Sequence, residues 1–418
     1  MNLRDVLRLV DFIEVSEELR HDEVLKFIKQ KNYEKKPLLL NVEGKKVAKN
    51  FIATRELLCK YLGIQKENLA KHLSNFTNST KKIEILEFKE LDLQSKEVNL
   101  YDLPILRYYK GDGGRYVTAG VVIARKLDSD YLNPKSYNAS IHRLMLIDKN
   151  KFAARLVPPR HTYLLWTKAV EMSKDLPIAI AIGVHPLFLF AASTRVPEGM
   201  EFEYAAWLMN GLKLYEVDEF LIPDSEIVLI GRITNKKAKE GPFVDITGTY
   251  DKIREEPIVE IDKIYCKREP IYYSITPGGS EHQVLMGIPF EPVIYKAVSN
   301  VCKVRNVVMT SGSRHYLHCI VQIEKKTEGD GKNAIIAALY AHPSMKGVVV
   351  VDEDIDIYNY EDVEYAIATR FQADRDFVMI KNARGSSLDP SSNATTTKWG
   401  MDATKYLERL KDFERIEE

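Results

Sequence analysis

The 418-residue sequence predicts a mixed α+β fold, with a β-rich, barrel-like middle between two α/β lobes. Three observations predict it. Short strand-like runs separated by turn signals crowd the stretch from about 101 to 295. Beyond it, to 418, helical and strand-like segments alternate as in βα units. The first hundred residues mix helical spacing with isolated strands. A chain of this length outgrows one ordinary core, so divisions at 1–100, 101–295 and 296–418 are expected.

In the N-terminal lobe, VLRLVDFIEV and RELLCKYLGI carry apolar residues three and four apart, which predicts helices, and KPLLLNVEG predicts a strand ending in a turn. Asp112-Gly113-Gly114 is a hairpin-grade turn followed by the β-rich YVTAGVVIAR. SIHRLMLID, FAARLV, IAIAIGV, FLIPDSEIVLIGRI, GPFVDITGTY, IVEIDKIYCK and PIYYSIT then predict strands. The strongest apolar run, LPIAIAIGVHPLFLFAAS, is broken by Pro186 and carries His185. It predicts a buried strand and a turn, because a membrane span needs ~20 uninterrupted apolar residues. EFEYAAWLMNGL predicts one helix, stopped at Gly211. In the last domain, KNAIIAALYAHP and DVEYAIATRFQ predict helices around the strand and turn of KGVVVVDEDIDIYN. ATKYLERLKDFERIEE predicts an amphipathic C-terminal helix.

Lys+Arg and Asp+Glu balance at 60 each, so no net field points to nucleic acid or an anionic membrane as a partner. Cys59, Cys266, Cys302 and Cys319 form no Cys-x-x-Cys pair, as expected of a reduced cytoplasmic protein without structural zinc or disulfides. MNLRDVLRLVDF lacks the apolar core of a signal peptide.

Chemistry concentrates in few places. KEGPFVDITGTYDK sets Glu240 and Asp245 on either side of Gly-Pro-Phe-Val, which cannot form one smooth helix. Acids held at fixed mutual geometry suit proton transfer. Arg143, Arg155 and Arg160 fall within eighteen residues of an otherwise apolar β segment, a density resembling an anion site for phosphate. Glu201 and Glu203 open a helix. Glu201 suits the helix dipole, whereas Glu203, followed by the small Ala205 and Ala206, is the better site candidate. An Asn, His and Glu set can hold a divalent metal, though spacing alone does not establish one. The acids from Asp352 to Asp356 lack the calcium-loop pattern and predict a strand-terminal turn. GGSEHQVLMG, with Glu281 and His282, is either a mobile active-site loop or a turn.

Taken in order, DLPILRYYKGDGGRYVTAG, YNASIHR, RLVPPRH, AIAIGVHP, PEGMEFEYAAWLMNG, PDSEIVLIGRI, EGPFVDITG, VVVVDEDIDI, GSSLDPSS and KWGMDAT resemble the UbiD family of decarboxylases, from about residue 100 to the C-terminus. The resemblance implies that the middle domain is a split β-barrel binding prenylated FMN, and that the last domain drives assembly into a homodimer or homohexamer. It implies Asn138, His161 and Glu203 as ligands of a divalent metal, typically manganese, at the flavin phosphate, with potassium as a further ion. Ser140, Ile141, His142, Arg143, Arg155, Leu156, Arg160 and His161 would line the flavin, with Ser193 and Lys398 as further contacts. Glu240, Arg143 and Asp245 would be the catalytic set, Asp245 donating the proton. Val244 stands where the family commonly has Gly, and Asp245 where some members have Glu.

The implied reaction is non-oxidative decarboxylation of a small unsaturated acid, with a UbiX-type flavin prenyltransferase as the cofactor's supplier. Similarity to archaeal members implies trans-anhydromevalonate 5-phosphate as substrate and isopentenyl phosphate as product. An aromatic acid such as 4-hydroxybenzoate, or its polyprenyl derivative, is the alternative within the class. A non-catalytic flavin-binding protein is the alternative outside it.

Overall fold

The β-rich stretch supplies eight strands of an all-antiparallel sheet that has nine among the described residues. The structure is a computed structural model that describes residues 1–77, 81–393 and 395–416. Eight strands run in the spatial order Tyr116–Val117, Leu144–Asp148, Lys151–Ala154, Arg254–Cys266, Ile227–Glu240, Leu176–Ile182, Val121–Arg125, Tyr137–Ile141; the ninth, Gln94–Lys96, pairs with Arg254–Cys266. Strand Leu176–Ile182 lies between two neighbours, and its Ile178, Ile180 and Ile182 are wholly buried, as are Ala179 and Ala181. Burial on both faces explains why its sequence is continuously apolar and not alternating. Each such isoleucine contributes about 1.5–3 kcal/mol relative to exposure.

The strand and turn expected after Leu176 is a strand followed by a helix, Pro186–Ser193. Pro186 occupies the first helical turn, where its missing N–H is harmless. His185 caps that turn, Nδ1 accepting the Leu187 N–H at 3.1 Å. A second correction concerns VLRLVDFIEV. Only Leu3–Leu9 is helical, opened by an Asn2–Asp5 capping box. Ile13–Leu19 is a strand, because pairing with Leu38–Val42 overrides the helical spacing of its apolar residues.

The described chain falls into two compact units, Met1–Leu62 with Thr77–Leu285, and Gly63–Phe76 with Met286–Glu418. Most of the first hundred residues therefore share a unit with the nine-stranded sheet.

The second unit holds a five-stranded sheet ordered Lys303–Met309, His318–Glu324, Gly347–Asp352, Thr395–Ala403, Phe377–Arg384, with parallel pairing at its centre. Helix Asp330–Ala341 buries Ala334, Ile335, Ala338 and Leu339 in a cluster with Val307, Val321, Val348 and Val350. The acidic run ends a strand as expected. Asp352 and Asp354 grip the buried Arg370 at 2.7 and 2.8 Å, so these acids form a structural ion-pair network. The tail departs from expectation. Leu407–Phe413 is 3-10 helix broken at Arg409, and residues 417–418 of the expected helix lie outside the described residues. Tethers start it: the Tyr406 hydroxyl donates to Asp376 at 2.5 Å and the Leu407 N–H to Glu328 at 2.7 Å.

No helix among the described residues is long and apolar enough to cross a membrane. All four cysteines are free thiols.

Candidate active site

Arg143 follows strand Tyr137–Ile141, Glu240 ends strand Ile227–Glu240, and a small hairpin pairs Phe243–Val244 with Tyr250–Asp251. The chain turns into that hairpin at Gly241, whose φ of +96° only glycine adopts without strain. The hairpin loop is tight: Asp245 N–H donates to the Thr249 carbonyl at 3.0 Å, and Gly248 N–H to the Asp245 carbonyl at 2.9 Å.

Three carboxylates converge on Arg143. Glu240, fully buried, accepts from Nε at 2.9 Å and Nη2 at 2.8 Å. Asp251 accepts from Nη2 at 3.0 Å, and Asp245 from Nη1 at 3.3 Å. The Phe243 ring lies 4.8 Å from the guanidinium carbon, a cation–π contact. Burial works against the charge on Arg143, but Glu240, Asp245 and Asp251 overcome it and raise the pKa. Burial likewise opposes the charge of Asp251, and Arg254 and Arg143 outweigh it, keeping that carboxyl below its usual range.

The turn 111–113 braces the hairpin. Gly113 N–H donates to the Pro242 carbonyl at 2.8 Å, and Gly111 N–H to the Tyr250 hydroxyl at 3.1 Å. Gly113 has to be glycine, since a Cβ there would stand 2.2 Å from the Gly241 carbonyl oxygen. On another side, GGSEH begins a helix. His282 Nδ1 accepts the Gly278 N–H at 2.9 Å, so the neutral ring carries its proton on Nε2. Burial lowers the pKa of His282, against the pull of the Asp245 charge.

A second polar cluster surrounds the end of strand Tyr137–Ile141. Asn138 Nδ2 donates to Ser140 Oγ at 3.0 Å and Thr162 Oγ1 at 2.8 Å, which leaves its amide oxygen for another partner. His142 Nδ1 donates to the Arg155 carbonyl at 3.0 Å, and Nε2 meets the Ser140 and Thr162 hydroxyls. Burial lowers this ring's pKa to about 4, so it is neutral near pH 7. Arg155 Nη1 is clamped by the buried Glu256 at 2.7 Å, whose other oxygen accepts the Leu156 N–H at 3.2 Å.

Helix His161–Glu171 begins with His161, whose Nδ1 lies 3.4 Å from Glu201 Oε1. Glu201 is buried, and its Oε2 has no hydrogen-bond partner among the described residues. Burial raises its carboxyl, opposed by its own backbone N–H and by His161. Glu203, expected from the sequence as the metal carboxylate, pairs instead with Lys135 at 3.2 Å. The carboxylate meeting His161 is therefore Glu201. Among the described residues no three His, Cys, Asp or Glu side chains form a metal set, so a set here needs a donor of another kind, such as the Asn138 amide oxygen.

Ile141 is half-buried beside Ser140, Leu156 is buried, and Arg160 is exposed at the cap of helix His161–Glu171. Ser193 donates to its own helix at the Phe190 carbonyl, 2.8 Å. Lys398 belongs to the second unit, buried in strand Thr395–Ala403 with Nζ donating to the Pro343 carbonyl at 2.6 Å. Burial lowers its pKa. Sequence reasoning missed Asp251, Glu256 and Thr162. The one available signal was the Thr-Gly-Thr turn, Thr247 to Thr249, which pairs Asp251 opposite Phe243.

A family model described as "3-octaprenyl-4-hydroxybenzoate carboxy-lyase Rift-related domain" (UbiD) matches residues 81–280, and the corresponding C-terminal domain matches residues 283–403. The chain is 60% identical over 416 residues to an anhydromevalonate phosphate decarboxylase from Archaeoglobus fulgidus, covering 100% of this chain and 96% of that protein. A protein of the same name from Methanosarcina mazei is 51% identical over 387 residues, 91% of this chain and 90% of its own. Among solved structures, the UbiD-class enzyme HmfF from Pelotomaculum thermopropionicum in complex with FMN superposes with a TM-score of 0.93 at 33% identity, covering 100% of this chain and 97% of that one. An evolved dimeric form of HmfF in complex with prFMN gives a TM-score of 0.88 at 30% identity, with the same coverage.

Proposed function

The chain belongs to the UbiD family of carboxy-lyases, and from that premise we propose that it decarboxylates trans-anhydromevalonate 5-phosphate to isopentenyl phosphate with prenylated FMN. The observation that carries this is the Arg143 cluster, with Glu240 gripping the guanidinium through two donors and Asp245 beside it on a separate hairpin. A buried arginine so held suits a carboxylate substrate, and the neighbouring acid suits protonation.

Direct loss of CO₂ from an unsaturated carbon leaves a carbanion that no side chain stabilises. The prenylated flavin, when bound, supplies the electron sink. This chain's residues bind, orient and protonate. Arg143 holds the substrate carboxylate, and Glu240 fixes the guanidinium. Asp245 gives its proton to the carbon that lost CO₂. Its side chain is 18% exposed, which lets it recover a proton from solvent. General-acid help of this kind contributes about 10²- to 10⁴-fold.

Asn138, His161 and Glu201 would hold the divalent ion, manganese being expected, with potassium as an accompanying cation. The support is chemical: a buried carboxylate oxygen without a partner, an imidazole 3.4 Å from its twin, and an amide whose nitrogen is already bonded. Ser140, Ile141, His142, Arg155, Leu156, Arg160 and His161, with Ser193, would line the flavin, Arg155 presented by Glu256. We take the nine-stranded sheet to be the family's split barrel, in keeping with its antiparallel order. The flavin would come from a UbiX-type prenyltransferase, in the cytoplasm, and the chain would assemble as a homodimer or homohexamer.

The test is co-expression with a flavin prenyltransferase, mass spectrometry of the bound flavin, and CO₂ release from anhydromevalonate phosphate and from 4-hydroxybenzoate. Release from the first is expected. Asp245→Asn should keep the flavin and lose at least ~10²-fold in turnover. Release from 4-hydroxybenzoate alone would replace the substrate, and prenylated-FMN-loaded protein inert toward both acids would refute the reading.

A further inference from the structure

We propose that Asp251 is a positioning residue that closes one side of Arg143 and steers the substrate carboxylate to the side beside Asp245. The inference rests on the decarboxylase reading above and goes beyond the catalytic set expected from the sequence.

A guanidinium has five N–H groups. Glu240 takes the Nε–H and one Nη2–H, Asp251 takes the second Nη2–H, and Asp245 takes one Nη1–H. Among the described residues one Nη1–H is left for a ligand. It sits on the nitrogen that Asp245 also touches, so a carboxylate bound there lies next to the acid. Were Nη2 open, a carboxylate would have a second docking edge away from Asp245.

Asp251 is built to stay where it is. Its Oδ1 accepts the Lys252 N–H at 2.8 Å, and its Oδ2 is shared by Arg143 and Arg254, the latter at 2.7 Å. Arg254 is placed by sheet register opposite Glu240, and Asp251 by hairpin register opposite Phe243. Arg254 also donates to the Lys252 carbonyl at 2.9 Å. Asp245 has the longest of the carboxylate contacts to Arg143, at 3.3 Å, and is the arm able to yield as substrate enters. The negative charge of Asp251 adds repulsion against a carboxylate approaching from its side.

Steering predicts a distinctive kinetic signature. In Asp251→Ala the freed Nη2–H admits a second, unproductive binding mode, so kcat should fall about 10- to 100-fold while KM stays level or falls with it. Asp251→Asn fills the same space and can offer Nη2 its one oxygen by turning its NH2 toward the Lys252 N–H, so it should recover part of the kcat lost in Asp251→Ala. Binding of the saturated acid 3-methylbutanoate to FMN-loaded protein, followed by calorimetry, should tighten about threefold or more in Asp251→Ala. Flavin content and melting temperature are measured alongside.

Parental kcat in Asp251→Ala overturns the inference. So does a rise in KM with weaker 3-methylbutanoate binding, which means that Arg143 merely lost support, and so does an Asn variant as impaired as the Ala variant. If the parent enzyme decarboxylates neither acid, the decarboxylase reading fails on its own, and the calorimetry still decides whether Asp251 closes Nη2.

Discussion

Glu201 and Glu203 open the same helix two positions apart, yet their surroundings differ completely. Successive residues turn about 100° around a helix axis, so side chains at i and i+2 point to nearly opposite sides. Glu201 meets His161 and keeps an unpartnered oxygen, while Glu203 reaches Lys135. On the proposed metal reading, Glu201→Gln should lose added manganese, measured as metal content after dialysis, whereas Glu203→Gln should retain it within about twofold of the parent. The reverse pattern would return the metal to Glu203. The sequence offered both residues and its reading favoured Glu203, because spacing does not report which side of the helix faces His161. Arg143, Glu240 and Asp245 were legible because their segments resemble the family's motifs. Asp251 and Glu256 were not. Asp251 reaches Arg143 through hairpin register, and Glu256 lies opposite Ala238 through sheet register.

At the scale of elements, the hairpin and the turn 111–113 work as one piece. Gly113→Ala would put a methyl 2.2 Å from the Gly241 carbonyl oxygen, and both partners are backbone, so the hairpin itself must shift. Displacing Asp245 by about 1 Å is expected to cost around 10²-fold in turnover at equal flavin content. Turnover near the parent's, with an unchanged circular-dichroism melt, would mean that the two elements are not mechanically joined. The turn at Asp112 was visible in the sequence as a turn, but its contact with Pro242 was not, since nothing local encodes a partner 129 residues away. Two of the misjudged elements share a cause. Ile13–Leu19 pairs with a neighbouring strand, and Leu407–Phe413 starts from side-chain tethers, so tertiary contacts outweighed local spacing in both.

At the scale of the molecule, two buried imidazoles contribute strongly to the response to acid. His142 and His185 are both held neutral by burial, each with its pKa lowered to about 4. Positive charge from Arg160 and Arg155 adds to the effect at His142, and the N-terminal amine adds to it at His185, against Asp5. In the unfolded chain such rings protonate near the ordinary value of about 6.5. Between 6.5 and 4 the unfolded state therefore binds more protons, and stability falls as pH drops through that window, by up to about 3 kcal/mol per ring. Melting temperature should decline further as pH drops below 6.5. His185→Gln should flatten the decline, and an unchanged slope would assign it elsewhere. The broad architecture was legible because apolar content and turn spacing report burial directly, whereas the two-unit division of the chain depends on long-range contacts that no local window contains. One detail of that architecture bears on how such a protein diversifies. The hairpin carrying Asp245 and Asp251 pairs only with itself among the described residues, outside the nine-stranded sheet. Exchanging residues 243 to 251 between relatives, with Tyr250 kept for Gly111, would thus amount to changing the tool while leaving the handle alone.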